Sequence, residues 1–73
     1  MSDGNGLLGE SVHAELVGMI FTGELAPGTP LSVPALAARL DVSRSPVRDS
    51  IQRLVADGLA VHPPRAGARV ARV

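Results

Sequence analysis

The sequence predicts a mainly α fold that closes in a small β hairpin. Three observations carry this. Apolar residues recur at helical spacing between Leu8 and Phe21. Pro34 and Pro46 each follow a serine closely and precede an apolar-periodic stretch, where proline starts a helix instead of breaking one. Beyond Gly58, two short apolar stretches flank "PPRAG", the pattern of two strands and their turn.

Each element follows from local chemistry. Residues 1–6 are Gly-rich and polar and read as a disordered lead to one domain over residues 7–73. The first helix carries Leu8, Val12, Leu16, Val17, Ile20 and Phe21 on its apolar side, with Glu10 and Glu15 between them, and ends near Gly23. "GELAPGTPL" is a turn that leads into an extended piece at Pro30 and Leu31. Ser32 caps the second helix by accepting from an orphan backbone N–H. Pro34 sits in its first turn, and Leu36, Ala37 and Leu40 form its apolar face. Asp41 and Val42 make a short turn. Ser43 caps the third helix, or Ser45 does, with Pro46 first in the helix. That helix runs to Gly58 and buries Val47, Ile51, Leu54 and Val55. Residues 59–61 and 68–73 are the two strands. Three helices and a two-stranded wing make a winged helix-turn-helix, with the helix-turn-helix at about residues 33–52 and the wing at about 59–73.

Composition sets the bounds. Seventy-three residues allow one small domain with a modest core. There is no cysteine, so neither a disulfide framework nor a thiolate metal site is available. No apolar run reaches the ~20 residues of a membrane span. "MSDGNG" lacks the basic start of a secretory signal, so a cytoplasmic protein is expected. The net charge of zero hides a split. All seven basic residues are arginines, and all lie from Arg39 onward. Over that second half they face only Asp41, Asp49 and Asp57, a net of +4. Either this half meets a polyanion or it is a lopsided solvated surface.

The third helix favours the polyanion. With Val47, Ile51 and Leu54 inward, Arg44, Ser45, Arg48 and Gln52 point elsewhere. Arg44, Arg48 and Gln52 follow one another a turn apart, toward the end of the helix that enters a major groove in this motif. Arginine can bind guanine O6 and N7 together, and glutamine can do likewise for adenine. The competing reading is that these arginines pair with Asp41 and Asp49. Arg53, four from both Asp49 and Asp57, reads as part of a surface ion-pair ladder. Arg39 touches a phosphate or nothing. His13 and His62 have no second ligand at metal spacing. Ser11 beside His13 lacks a third partner, so no nucleophilic site is built. No catalytic residue, metal or cofactor is expected. Gly67 suits the hairpin tip, where a missing side chain lets backbone approach a minor groove or phosphate. Arg65 and Arg69 flank it, Arg65 nearer the tip. A winged helix used for protein–protein contact is the alternative function.

"GELAPG", "LAARLDVSRSPVR" and "LVADGL", in that order, are similar to the DNA-binding domain of the GntR family of bacterial transcription regulators. The likeness runs from about Leu8 to Val70, and "SRSPVR" resembles the FadR-like branch most. The resemblance implies a recognition helix beginning at Ser43, with Arg44 and Arg48 at base- and phosphate-contacting positions and Gly67 as the wing-tip glycine. The candidate DNA-binding set is Ser32, Ser43, Arg44, Ser45, Arg48, Gln52, Arg65 and Gly67. Several residues depart from the family pattern. Val33 and Pro34 stand where polar or charged residues are frequent, Asp41 where glycine is usual, Ala66 where arginine is frequent, and Arg69 where an aromatic or aliphatic residue is common. The resemblance further implies double-stranded DNA as partner, through a palindromic operator and a homodimeric parent. It also implies a small-molecule effector bound only by a separate domain that this chain lacks.

Overall fold

The computed structural model describes residues 4–72, with side chains described from residue 9 onward. The elements are α1 (Gly4–Phe21), α2 (Val33–Leu40), α3 (Arg44–Ala56), β1 (Ala60–Val61) and β2 (Arg69–Val70). Residues 1–3 of the expected lead, and Val73, lie outside the described residues.

Helix α1 begins at Gly4, inside the stretch expected to be a lead. Extending an existing helix gains a hydrogen bond per residue and avoids the cost of a new nucleus, so the packed part carries the glycines with it. Val12, Leu16 and Met19 form its buried face, with Val17 and Ile20 at the margin. Phe21, expected on this face, is 74% exposed. At 3.6 residues per turn it stands about 140° round from Leu16, whereas Met19 stands about 60° away. Gly23, at φ +84, then turns the chain so that Leu25 N–H reaches Met19 O at 2.9 Å, and Leu25 enters the core.

Ser32 caps α2 as expected: its Oγ accepts from Ala35 N–H at 3.3 Å, and Pro34 lies in the first turn. Asp41 ends α2 in the left-handed region at φ 58, ψ 49. Ser43, not Ser45, holds the cap position of α3, although its hydroxyl makes no capping bond. Pro46 is thus the third helical residue, where an amide would still lack an intrahelical partner. Helix α3 stops at Ala56, two residues before Gly58, which takes φ +80 just beyond the cap. Val47, Ser50, Ile51 and Leu54 are its buried residues. Val55, expected among them, is 36% exposed, because it lies about 90° from the centre of that face. Ser50, on the opposite flank, is the buried residue instead.

The wing pairs Ala60 with Val70 and Val61 with Arg69, antiparallel. Its strands are shorter than residues 59–61 and 68–73, although Ala71 N–H still reaches Leu59 O at 3.0 Å. On its other edge β2 bridges to Pro30, with Leu31 N–H on Ala68 O at 2.8 Å and Gly28 N–H on Val70 O at 2.9 Å. Leu16, Val47 and Leu54 are completely buried at the centre. Burying a leucine contributes about 1.5–3 kcal/mol, so α1 and α3 together hold the platform on which the exposed side of α3 is displayed.

Candidate nucleic-acid interface

Because Val47, Ile51 and Leu54 anchor one side of α3, its other side is fixed in direction. Arg44, Ser45, Arg48 and Gln52 are all exposed, Ser45 and Gln52 on that far side and Arg44 and Arg48 along its flank. The ion pairs formed among the described residues lie elsewhere. Arg39 pairs with Glu24. Arg53 pairs with Glu10 of α1 at 3.8 Å and not with Asp49 or Asp57, so the expected ladder is absent among the described residues. Arg44 and Arg48 form no ion pair among the described residues, with Asp41 and Asp49 included. Two arginines are therefore occupied at the fold's periphery, and two stand open one turn apart.

A groove of about 580 Å³ runs beside this stripe. The start of α2 lines one wall with Ser32, Val33 and Pro34, while Arg48 and Gln52 of α3 line a second. The wing supplies His62, Gly67 and Ala68. The groove thus gathers Ser32, Arg48, Gln52 and Gly67 from the predicted set. Ser43, Arg44 and Ser45 lie beyond it at the start of α3, and Arg65 lies in the turn of the wing. Among the described residues no carboxylate lines the groove. His62 was not legible as part of this surface. It follows β1 and lines the groove from the wing.

The tip differs from expectation. Ala66 N–H bonds Pro63 O at 3.2 Å, which puts Pro64 and Arg65 at the two central places of a β-turn. Arg65 takes φ 62, so the left-handed position belongs to an arginine. Gly67 does not take a positive φ, and a Cβ built on it meets nothing within 4 Å. Proline fixes the first central φ near −65°, and the positive φ of Arg65 after it makes the turn one of type II.

Among the described residues no three histidine, aspartate or glutamate side chains gather as a metal site. No described helix is long and apolar enough to cross a membrane.

Three helices and a two-stranded antiparallel wing define a winged helix-turn-helix domain, the DNA-binding module of transcription regulators. The chain belongs to the GntR family: the sequence model of the bacterial regulatory proteins of the gntR family matches residues 8–70. It is 45% identical over 62 residues to an HTH-type transcriptional regulator in an unstable DNA locus of Streptomyces ambofaciens, covering 85% of this chain and 26% of that protein. It is 41% identical over 49 residues to the HTH-type transcriptional repressor RspR of Escherichia coli, covering 67% of this chain and 22% of that protein. Among solved structures it resembles Lar, described as controlling expression of the agr system of Listeria monocytogenes, with a TM-score of 0.84 and 35% identity over 89% of this chain and 30% of that one. A GntR family member from Pseudomonas syringae pv. tomato gives a TM-score of 0.82 and 33% identity over 94% of this chain and 29% of the other. The chain therefore spans less than a third of the length of each of these relatives. These relatives are transcription regulators, and the domain they share with this chain binds DNA and is not an enzyme.

Proposed function

We propose that this chain is the operator-reading domain of a FadR-like GntR regulator. Helix α3 enters the major groove, where Arg44, Arg48 and Gln52 read base edges while Ser32, Ser43 and Ser45 meet phosphates. Arg65 and the bare backbone at Gly67 bring the wing to the minor groove. The domain works in the cytoplasm without a metal or cofactor of its own. It acts as one half of a homodimer on a palindromic operator, and a small-molecule effector acts through a separate domain.

The single observation behind this reading is that Arg44 and Arg48 are exposed and unpaired among the described residues, one turn apart at the start of α3. An arginine bidentate to guanine contributes roughly 1–3 kcal/mol of discrimination. Selection from a random duplex pool supplies a cognate site. Arg44→Ala and Arg48→Ala should each weaken binding to that site by about 1–3 kcal/mol and narrow the gap to a scrambled duplex. Wild-type affinity of both variants for both duplexes would sink the assignment.

A further inference from the structure

The base-reading stripe leaves one side chain of the groove unexplained. His62 follows β1 directly, is exposed, and lines the groove from the wing. Across from it, Arg48 of α3 is the only charged side chain in the lining among the described residues, beside the neutral Gln52. The start of α2 adds Ser32, Val33 and Pro34, and β2's side adds Gly67 and Ala68, with no acid among them. Arg69 pairs with Val61, and both are exposed on the sheet face opposite buried Ala60 and Val70, so Arg69 does not face His62. Among the described residues the lining of this trough is thus neutral apart from one permanent cation, Arg48, and one ionisable group, His62.

We propose that His62 is a phosphate-contacting residue that makes DNA binding proton-linked. The proposal rests on the DNA-reading assignment above. If α3 occupies the major groove and the wing the adjacent minor groove, the sugar-phosphate strand between them runs along this trough. A phosphate there lies between the Arg48 guanidinium and the His62 imidazole. Two cations facing each other across an empty groove repel, and an anion between them turns that repulsion into attraction. Phosphate and proton therefore bind cooperatively, each favouring the other by the same factor. Imidazole changes charge between about pH 5 and pH 8, which makes the linkage visible near neutrality. Val33 and Pro34 at the start of α2 carry no charge that would compete for the phosphate.

The test is fluorescence anisotropy of the whole chain on a labelled duplex, near pH 6 and near pH 8, at several salt concentrations. Binding should tighten about two- to fivefold at the lower pH, the worth of one exposed ion pair. The slope of log affinity against log salt should steepen by about 0.9, the effect of neutralising one further phosphate. His62→Gln should lose both responses, and His62→Arg should show the acid-type slope at both pH values. His13→Gln, which alters the other histidine, should keep the wild-type response. Equal wild-type slopes at the two pH values would overturn the proposal, as would a response retained by His62→Gln or lost in His13→Gln. Binding without pH dependence removes only this inference. No binding at any pH removes the DNA-reading assignment and this inference with it.

Discussion

His13 Nδ1 lies 2.8 Å from Ser50 Oγ, tying α1 to the inward side of α3 across 37 positions of sequence. One turn further along both helices, Glu10 and Arg53 make the second polar link. One turn the other way, Leu16 and Val47 are completely buried. The two helices therefore run in opposite directions, and buried Val12 and Leu54 accompany the polar links at their end. Ser50 is 2% exposed, the one polar residue in the buried set, while His13 is half-buried.

That asymmetry predicts unequal costs. Ser50→Ala leaves His13 free to bond water and should cost about 0.5–1.5 kcal/mol, the net worth of a hydrogen bond. His13→Ala removes packing and strands a buried hydroxyl, so about 1–3 kcal/mol is expected. Urea denaturation of both single variants and the double variant measures the coupling. Additive effects, or a costlier Ser50→Ala, would show that the bond does not hold α3.

The turn of the wing separates strain from charge. Arg65 occupies a left-handed position that costs an ordinary residue roughly 1–2 kcal/mol. Arg65→Gly should thus leave stability within about 0.5 kcal/mol of wild type or raise it, glycine's own entropy offsetting part of the relief. The same change should flatten the salt dependence of DNA binding by about 0.9 for each phosphate that the arginine neutralises in the wild type. Gly67→Ala, with open space and no positive φ, should leave unfolding unchanged. Marked destabilisation by Gly67→Ala would put the strained position back at the glycine.

Asp41 offers a stabilising change. It sits at φ 58, ψ 49 between α2 and α3, where glycine is the favoured terminator. Asp41→Gly should raise stability by about 0.5–1 kcal/mol and Asp41→Val should lower it by at least about 1 kcal/mol. Thermal unfolding with the order reversed would show that the aspartate is held there by something other than tolerance of the left-handed region.

Assembly is predicted to need more than this chain. Among the described residues the exposed large apolar side chains, Phe21, Val55 and Val61, come from three different elements, and the described helices offer no heptad seam. Sedimentation at micromolar concentration should give a monomer. Joining two half-sites about 34–36 Å apart should not produce cooperative binding. A stable dimer in that experiment would refute the prediction.

Much of the fold was readable because its signals are local. Ser32 with Pro34 starts α2, and Gly58 follows the end of α3, each within a few residues of the element it punctuates. The apolar periodicity failed at the margins of the helices. Phe21 and Val55 are apolar yet lie off the buried arc, and Ser50 is polar yet lies on it. Partners distant in sequence were illegible for a plainer reason. Nothing beside His13 announces Ser50, and Arg53 has acids four residues away on both sides yet pairs with one on another helix. In the interface, the stripe of Arg44, Arg48 and Gln52 follows from helix geometry alone. The place of His62 depends on the position of the wing, and glycine's reputation as a turn residue drew attention from Arg65 to Gly67.

The bridge between Pro30 and Arg69 also orders events in time. It joins segments about forty residues apart, and β2 is hydrogen-bonded on both edges only after that loop closes. The wing itself is two strands of two residues each, and an isolated two-stranded hairpin is at best marginally stable in water. The helices should therefore assemble first and the wing should dock last. In the native state the amides of Gly28, Leu31 and Val70 should exchange with solvent as one unit, at a lower opening energy than those of α3. The wall of the groove that bears His62 and Gly67 is then the part of the molecule able to open and reclose around a strand while the rest stays folded.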